Sequence, residues 1–571
     1  MADLVIGGRR PSGPRTMRAV VIAGVLIAAA FIAAWYIYRR AVSYDVPDGT
    51  VAGAPLVVHQ AAPGAAPQLR FGDASLTWVG GLAVLRVHGD PHTVGGAHGR
   101  LLGRSVVEVS RPFAPTIDQS VDRGGFLGRL TRGMRIAWRH RFIDDGIPED
   151  HRRGLAGVVR GAAVTGAELS YSDLLRYHAA LGVGVPVDWT DEAQLRQVAR
   201  SLTFVVPQGS SLPGRLWIGR SLALPGIGDG GDAAAAHPVI SFVRPEGRIA
   251  WVGVGWPGLV GVVTGINAEG LVVTVHPART RDVRPTRAAI PGVLLARDVL
   301  ETCKTLDEAI AHVDKTPTLG ALALVVVDGK NGAWAVLERT PSRAAVLRTP
   351  AEPAVGDALS APAFLDDPDN DRARRVLPTM MRLKRLTRLA RTPPADAAAA
   401  AALLRDDRAP DDVPLPPGHR GAIDDLAAVQ VVLIDPAAMA LWVADGDAGA
   451  RFRAFDLRHE LRGEGDRAAP PADIPADIDV DPTLTAATHA ARADLRDARR
   501  ALSGGSPGRA EELVQRALAR APRLPEALEL AGAISRARGN RSAMSAYWHR
   551  WIDNGPDDPG AEEEIRAILE P

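Results

Sequence analysis

Few residues in this chain are of a type and spacing that could do chemistry. Cys303 is the single cysteine in 571 residues, so no intrachain disulfide and no cysteine-built metal site can form. It lies in a helix-like run between Leu300 and Leu306, where a thiol acts as a small buried hydrophobe. His88, His92 and His98 stand close together, but their spacing fits no zinc motif. The run Asp366-Asp367-Pro368-Asp369-Asn370-Asp371 lacks the glycine and the closing glutamate of a calcium loop. It reads as a solvated helix start, with Asp371 favourably placed near the helix amino terminus. No metal or cofactor is therefore expected. Ser201 opens an apolar strand, Arg220 follows in the next strand-like run, and Asn267 sits in a turn whose left-handed backbone asparagine tolerates.

The elements that must hold these residues are legible in outline. Residues 19–38, AVVIAGVLIAAAFIAAWYIY, carry no charge, and a helix of that length matches a bilayer core. Trp35, Tyr36 and Tyr38 mark an interfacial end. Arg9, Arg10, Arg15 and Arg18 precede the helix, and only Arg39 and Arg40 follow it closely. This asymmetry predicts a cytoplasmic amino-terminal tail (1–18), a transmembrane helix (19–38) and an extracytoplasmic remainder at the cell membrane. Ala41-Val42-Ser43 offers the rival reading of a cleaved signal peptide, which the length of the apolar run and the two preceding arginines oppose. Net charge is +1 with no basic stripe, which argues against nucleic acid as a partner.

Residues 39–70 read as a tether rich in Ala, Pro and Gly. From 71 to 460 the pattern alternates between strand and helix. LAVLRVHG (82–89) alternates like a strand, and residues 321–338 and 427–446 read as hairpins. The mixture predicts an α+β domain of stacked antiparallel sheets flanked by helices. Residues 461–485 contain Pro470, Pro471, Pro475 and Pro482 among acidic residues, the composition of a linker that few contacts would cross. Residues 486–571 form a helical tail with a 34-residue period: Gly505 recurs as Gly539, Pro522 as Pro556 and Pro525 as Pro559. That period resembles tetratricopeptide units. Two units are few for a free-standing array, so the tail is expected to pack on the main domain or on a protein partner.

The order of several segments resembles the isopenicillin N acyltransferase family of N-terminal-nucleophile hydrolases. GDPHTVGGAHGRLLG (89–103), IPEDHRRGLAGVVRGA (147–162), SLTFVVPQGSSLPGRLWIGRSLALPG (201–226) and GWPGLVGVVTGINAEGLVV (255–273) carry the resemblance. TLDEAI (305–310), residues 324–341 and residues 431–446 continue it in the same order. It implies an αββα sandwich over 71–460 and a small-molecule amide or acyl substrate. In the family, self-cleavage exposes a nucleophile whose own α-amine is the base, and backbone N–H groups with an asparagine stabilise the oxyanion.

Carried onto this chain, the resemblance makes Ser201 the nucleophile, Arg220 its orienting cation and Asn267 an oxyanion contributor. The departures are specific. Ser201 replaces the family cysteine, Arg200 a glycine, Ser221 an asparagine and Ala223 an aspartate. Ala361-Pro362-Ala363 stands where a Thr-Asn-His core is usual, while Arg372, Arg374 and Arg375 keep the basic character that follows. Two functions are therefore expected to compete: a slow or silent acyl-transferring hydrolase, or a ligand-binding and scaffolding module on the same fold.

Overall fold

The computed structural model describes residues 14–51, 56–59, 67–111, 134, 138, 141–183, 200–209, 214–224, 229–278, 289–350, 353–356, 359, 361–376, 378–465 and 470–570. Most of the expected cytoplasmic tail, with Arg9 and Arg10, lies outside the described residues. So do parts of the tether (52–55 and 60–66) and of the Pro-rich linker (466–469). The chain divides into two compact units: residues 1–45 with 120–142, and residues 46–119 with 143–571.

In the first unit one helix runs from Pro14 to Ala41. Its stretch Val21–Ala41 is long and apolar enough to cross a membrane, with mean hydropathy 2.2 and no buried share. A signal sequence near an amino terminus has the same length and composition. Tyr38 Oη donates to the Met134 carbonyl at 2.9 Å, and its ring stacks against Trp35 and Trp138.

The second unit contains the strands β1 (Val57–His59), β2 (Gln68–Phe71), β3 (Ala74–Val79), β4 (Leu82–Gly89), β5 (Arg200–Pro207), β6 (Leu216–Ala223), β7 (Val239–Pro245), β8 (Trp251–Gly255) and β9 (Thr264–Asn267). These are followed by β10 (Leu271–Pro277), β11 (Leu322–Asp328), β12 (Ala333–Arg339), β13 (Ala344–Arg348), β14 (Ala354–Val355), β15 (Ala428–Asp435), β16 (Ala440–Ala444) and β17 (Phe452–Asp456). They form an 11-stranded sheet, ordered β1-β2-β3-β4-β7-β8-β9-β10-β11-β12-β13, and a 6-stranded sheet, ordered β14-β5-β6-β15-β16-β17. Neighbouring strands are antiparallel except β4 and β7.

The two-residue period of a strand decides what each sheet shows its neighbour. In β5, Val205 faces the larger sheet, where Ile218, Val432 and Ile434 meet Val84, Ile240, Val272 and Val325 in the main core. Leu202, Phe204 and Val206 face the other way, with Trp217, onto Leu386 and Leu403 of the helices Thr379–Leu389 and Ala397–Leu404. Helices Pro91–Ser110, Tyr171–Val183, Gly292–Thr302 and Leu306–Lys315 pack on the larger sheet, giving a helix–sheet–sheet–helix order.

Two glycine-rich segments of the sequence find their reason here. A Cβ at Gly95 would fall 2.0 Å from the Gly154 carbonyl oxygen, so the helices Pro91–Ser110 and Glu149–Ala163 cross backbone to backbone. His98 Nε2 accepts from the Gly258 amide at 2.9 Å, joining the opening motif to the Pro257-Gly258 turn.

The tail forms five helices: Pro482–Ser503, Pro507–Arg520, Pro525–Ala537, Arg541–Asp553 and Pro559–Leu569. Helix starts recur at 507 and 541 and at 525 and 559, in step with the sequence period. Gly505 and Gly539 turn the chain at φ of 75° and 74°, the left-handed backbone that ends helices. Leu495, Leu513, Leu528, Trp548 and Trp551 give this tail its own core.

One expectation needs correction: many contacts cross the linker. Buried Arg420 of the main domain donates to Asp557 at 2.6 and 2.8 Å, to Glu529 at 2.6 Å and to Asp558 at 3.3 Å. Arg492 of the tail donates to the Leu426 and Gly418 carbonyls. The Pro-rich segment is itself tied down, since Ile474 is buried and exchanges backbone hydrogen bonds with Phe452. Composition reveals that a segment forms no regular element, but it does not reveal whether that segment's backbone pairs with a neighbour.

Candidate active site

Ser201, Thr203 and Arg220 stand on the inward rows of β5 and β6, where those rows turn from apolar to polar. β10 faces them with a matching row, Val272, Thr274 and His276. All five polar residues among these are fully buried. Ser201 Oγ lies 2.9 Å from His276 Nδ1, and Thr203 Oγ1 lies 2.9 Å from His276 Nε2 and 3.1 Å from Thr274 Oγ1. Arg220 Nη1 is 2.9 and 3.2 Å from the two ring nitrogens of His276, and its Nη2 donates to the Val275 carbonyl at 2.5 Å. Gln430 Nε2 donates to Thr264 Oγ1 at 2.9 Å, a second polar bridge between the sheets. The structure thus brings Ser201 and Arg220 together and adds His276, Thr203 and Thr274, which the sequence reading missed. The signal was available: Val272, Thr274 and His276 are alternate residues of one strand and so share a face.

Burial, and then the neighbouring Arg220 cation, hold the His276 imidazole well below its usual protonation range. The ring is therefore neutral. Arg220 Nη1 can only donate and lies nearer to Nε2, so Nε2 accepts and the ring proton sits on Nδ1, which donates to Ser201 Oγ. This orients the serine hydroxyl but leaves a poor base, because accepting its proton would create an imidazolium beside a guanidinium in a dry site.

The bond before Ser201 lies inside the β5–β6 ladder, with Arg200 opposite Ala223 and Ser201 opposite Leu222. The Arg200 side chain is buried 3.2 Å from Asp425. Ala223, at the position of the expected aspartate, is buried at the end of β6. Beyond these strand ends lies an open cavity of about 460 Å³, lined by Arg200, Leu224 and Ala428 and bordered by the helix Pro482–Ser503. Ser201 sits one residue inward and is fully buried.

Asn267 is placed differently from the expectation. Its Nδ2 donates to the Leu300 and Cys303 carbonyls at 3.0 and 2.8 Å, and its Oδ1 accepts from the Glu269 and Leu271 amides at 3.0 Å each. Its two amide protons are committed to the end of the helix Gly292–Thr302 and its oxygen to the turn that follows, so the amide has no proton left for an oxyanion. Ala361 donates its backbone N–H to Glu338 at 2.8 Å, and Pro362 starts the short helix that follows. Cys303 is buried at the carboxyl end of the helix Gly292–Thr302, and burial pushes its thiol pKa up. Among the described residues, no three His, Cys, Asp or Glu side chains converge to hold a metal ion.

Residues 242–410 match the family model of acyl-coenzyme A:6-aminopenicillanic acid acyl-transferase. An uncharacterized protein of Archaeoglobus fulgidus is 24% identical over 306 residues, 51% of this chain and 49% of its own length. The chain thus spans about half the length of this curated relative. Three solved structures are also similar. The Caenorhabditis elegans N-acylethanolamine-hydrolyzing acid amidase ortholog is 17% identical with a TM-score of 0.30, over 42% of this chain and 93% of that one. Penicillin V acylase from Agrobacterium tumefaciens is 15% identical with a TM-score of 0.31, over 46% and 89%. A variant of conjugated bile acid hydrolase from Clostridium perfringens is 11% identical with a TM-score of 0.32, over 49% and 100%. The matched family segment includes Thr264, Thr274 and His276 but begins after Ser201 and Arg220. The likeness to the acyl-coenzyme A:6-aminopenicillanic acid acyl-transferase family is thus carried by residues 242–410.

Proposed function

We propose that this chain is a membrane-anchored member of this family that binds a small amide or acyl compound and turns it over slowly or not at all. The observation that carries the reading is the environment of Ser201. Its hydroxyl meets an imidazole that burial and Arg220 keep from accepting a proton. Asn267, the expected oxyanion donor, spends both amide protons on the end of the helix Gly292–Thr302. An oxyanion-hole donor is typically worth about 10²- to 10³-fold in rate, so its loss is heavy. The ladder around the 200–201 bond supports the same reading, because a bond held in extended pairing lacks the strained turn that self-cleavage needs.

The arginine asymmetry around residues 19–38 supports insertion with the amino terminus in the cytoplasm and the main domain outside. The recurring helix starts support a tetratricopeptide-like tail. A protein partner of that tail would have to use faces not already committed to residues 418–426.

A second reading keeps the enzyme active. It is favoured by the 2.9 Å contact of Ser201 with His276 and by Arg220 in the same cluster. In that case the chain breaks before Ser201, and the freed α-amine replaces His276 as base. Intact-mass measurement of the purified protein separates the two. A single uncleaved chain is the expected result. Fragments meeting at 200/201, absent in the Ser201→Ala variant, overturn the slow-or-silent reading.

A further inference from the structure

The unit formed by residues 1–45 and 120–142 holds a row of aromatic rings with a guanidinium at each end. Trp35 and Tyr38, on the helix Pro14–Ala41, stack with ring centres 5.8 Å apart. Trp138 continues the row, 6.3 Å from Tyr38 and within 15° of parallel. Arg39 lies 6.0 Å from the Trp35 ring, and Arg141 lies 4.2 Å from the rings of both Trp138 and Phe142. Polar bonds hold the row in register. Tyr38 Oη donates to the Met134 carbonyl, and Arg141 Nη1 donates to the Trp138 carbonyl at 2.5 Å.

Packing leaves the two tryptophans half exposed, Trp35 at 43% and Trp138 at 45%. Amphipathic rings favour the boundary between water and acyl chains, and this row stands at the end of the apolar stretch Val21–Ala41. The charge around it is one-sided. Between Asp122 and Asp144 the sequence has six arginines (123, 129, 132, 135, 139 and 141) and no acidic residue. Asp45 lies 3.9 Å from Arg40 and offsets that charge, but Arg39 faces a ring instead. A guanidinium stacked on a ring keeps its N–H edge for a second partner, and that edge matches the oxygens of a phosphate.

We propose that this unit docks on anionic phospholipid at the outer end of the membrane span, with the row of rings at headgroup level and Arg39 and Arg141 gripping lipid phosphates. The proposal rests on the membrane-anchored reading above and adds the class of lipid. It gives the span a second contact with the bilayer, made by chain 96 residues beyond Tyr38. A zwitterionic headgroup offers the same phosphate with a cation beside it. The arginine surplus therefore selects a headgroup with net negative charge.

The test is native mass spectrometry of the full chain in neutral detergent, titrated with phosphatidylglycerol, phosphatidylcholine and glycerol phosphate. Phosphatidylglycerol should bind more tightly than phosphatidylcholine by at least about tenfold, and glycerol phosphate should not displace it. The double variant Trp138→Ala/Arg141→Gln should lose at least about tenfold in phosphatidylglycerol affinity, and the selectivity with it. If that variant does not fold, Arg141→Gln alone decides by a loss of about fivefold. The inference is overturned if the two lipids bind alike, if glycerol phosphate competes, or if a folded variant keeps its selectivity. The same spectra weigh the chain. Unselective binding by a chain that retains residues 1–41 sinks this inference and leaves the anchor standing. A chain that begins after residue 43 has lost its span as a signal peptide, which sinks the anchored reading and this inference together.

Discussion

Two buried arginines, Arg220 and Arg420, stand in polar clusters of opposite character. Arg420 is surrounded by the carboxylates of Asp557, Asp558 and Glu529, reached across more than a hundred residues of chain. Arg220 is held by a hydroxyl, a carbonyl and an imidazole, and it adds to the burial that keeps the imidazole neutral. The first arrangement cancels charge and ties the tail helices to the segment around residue 420. The second places a cation where it tunes a neighbour's protonation. The difference teaches that burial of a charge says little by itself. What surrounds the charge decides whether it works as a clamp or as an electrostatic setting.

The largest effect should come from breaking the clamp. Arg420→Ala leaves the carboxylates of Asp557 and Asp558 buried without their cation, and removing one partner of a buried ion pair costs about 3–5 kcal/mol. Chemical denaturation of the full chain should show that loss. A loss below about 1 kcal/mol would reduce the interface to an ordinary surface contact. Deleting residues 486–571 should accordingly damage the main domain, against the expectation that the linker's composition raised.

An acid titration sharpens the contrast, because the two clusters respond in different windows. Burial first, with Arg220 or Arg297 adding to it, pushes the His276 and His98 imidazoles down, His98 to about 4. Burial also pushes His178 down to about 3. Above the unfolded value of 6.5 these rings are neutral in both states. Below it the unfolded chain takes up protons that the folded chain refuses, so stability must fall as the pH drops from 6.5 towards 4. The slope is at most about 1.4 kcal/mol per pH unit for each such histidine. Asp557 and Glu526 behave differently. Burial would raise both, but Arg420 beside Asp557 and Arg492 beside Glu526 hold them low. Their stabilisation is complete above the unfolded values of 3.8 and 4.5 and fades only below them. Thermal unfolding followed from pH 7 to 3 should therefore show an early loss removed in part by His98→Gln, before any separation of the tail. A stability profile flat from pH 7 to 5 would contradict the neutral histidines.

The smallest expected effect is that of Ser201→Ala. It removes one hydroxyl and one hydrogen bond to a neutral ring, and should change unfolding stability by about 1 kcal/mol or less. A change several times larger would mean that the seam around His276 depends on Ser201 for its packing, and that the hydroxyl is chiefly structural.

The sequence by itself determined the elements. The strand at 82–89, the hairpins at 321–338 and 427–446, the apolar amino-terminal helix and the 34-residue rhythm of the tail are local patterns, and each appears as an element of the structure. Local periodicity suffices because it is set by neighbours along the chain. Only the tertiary structure decided which side chains meet. His276 lies 75 residues from Ser201 and joins it because two sheets stack with those rows face to face. Asn267 looked free to serve chemistry until the carbonyls of Leu300 and Cys303 claimed its amide. The linker looked loose until Arg420 and Asp557 tied together what lies on either side of it. In each case the deciding partner is distant in sequence, and no spacing rule carries that distance.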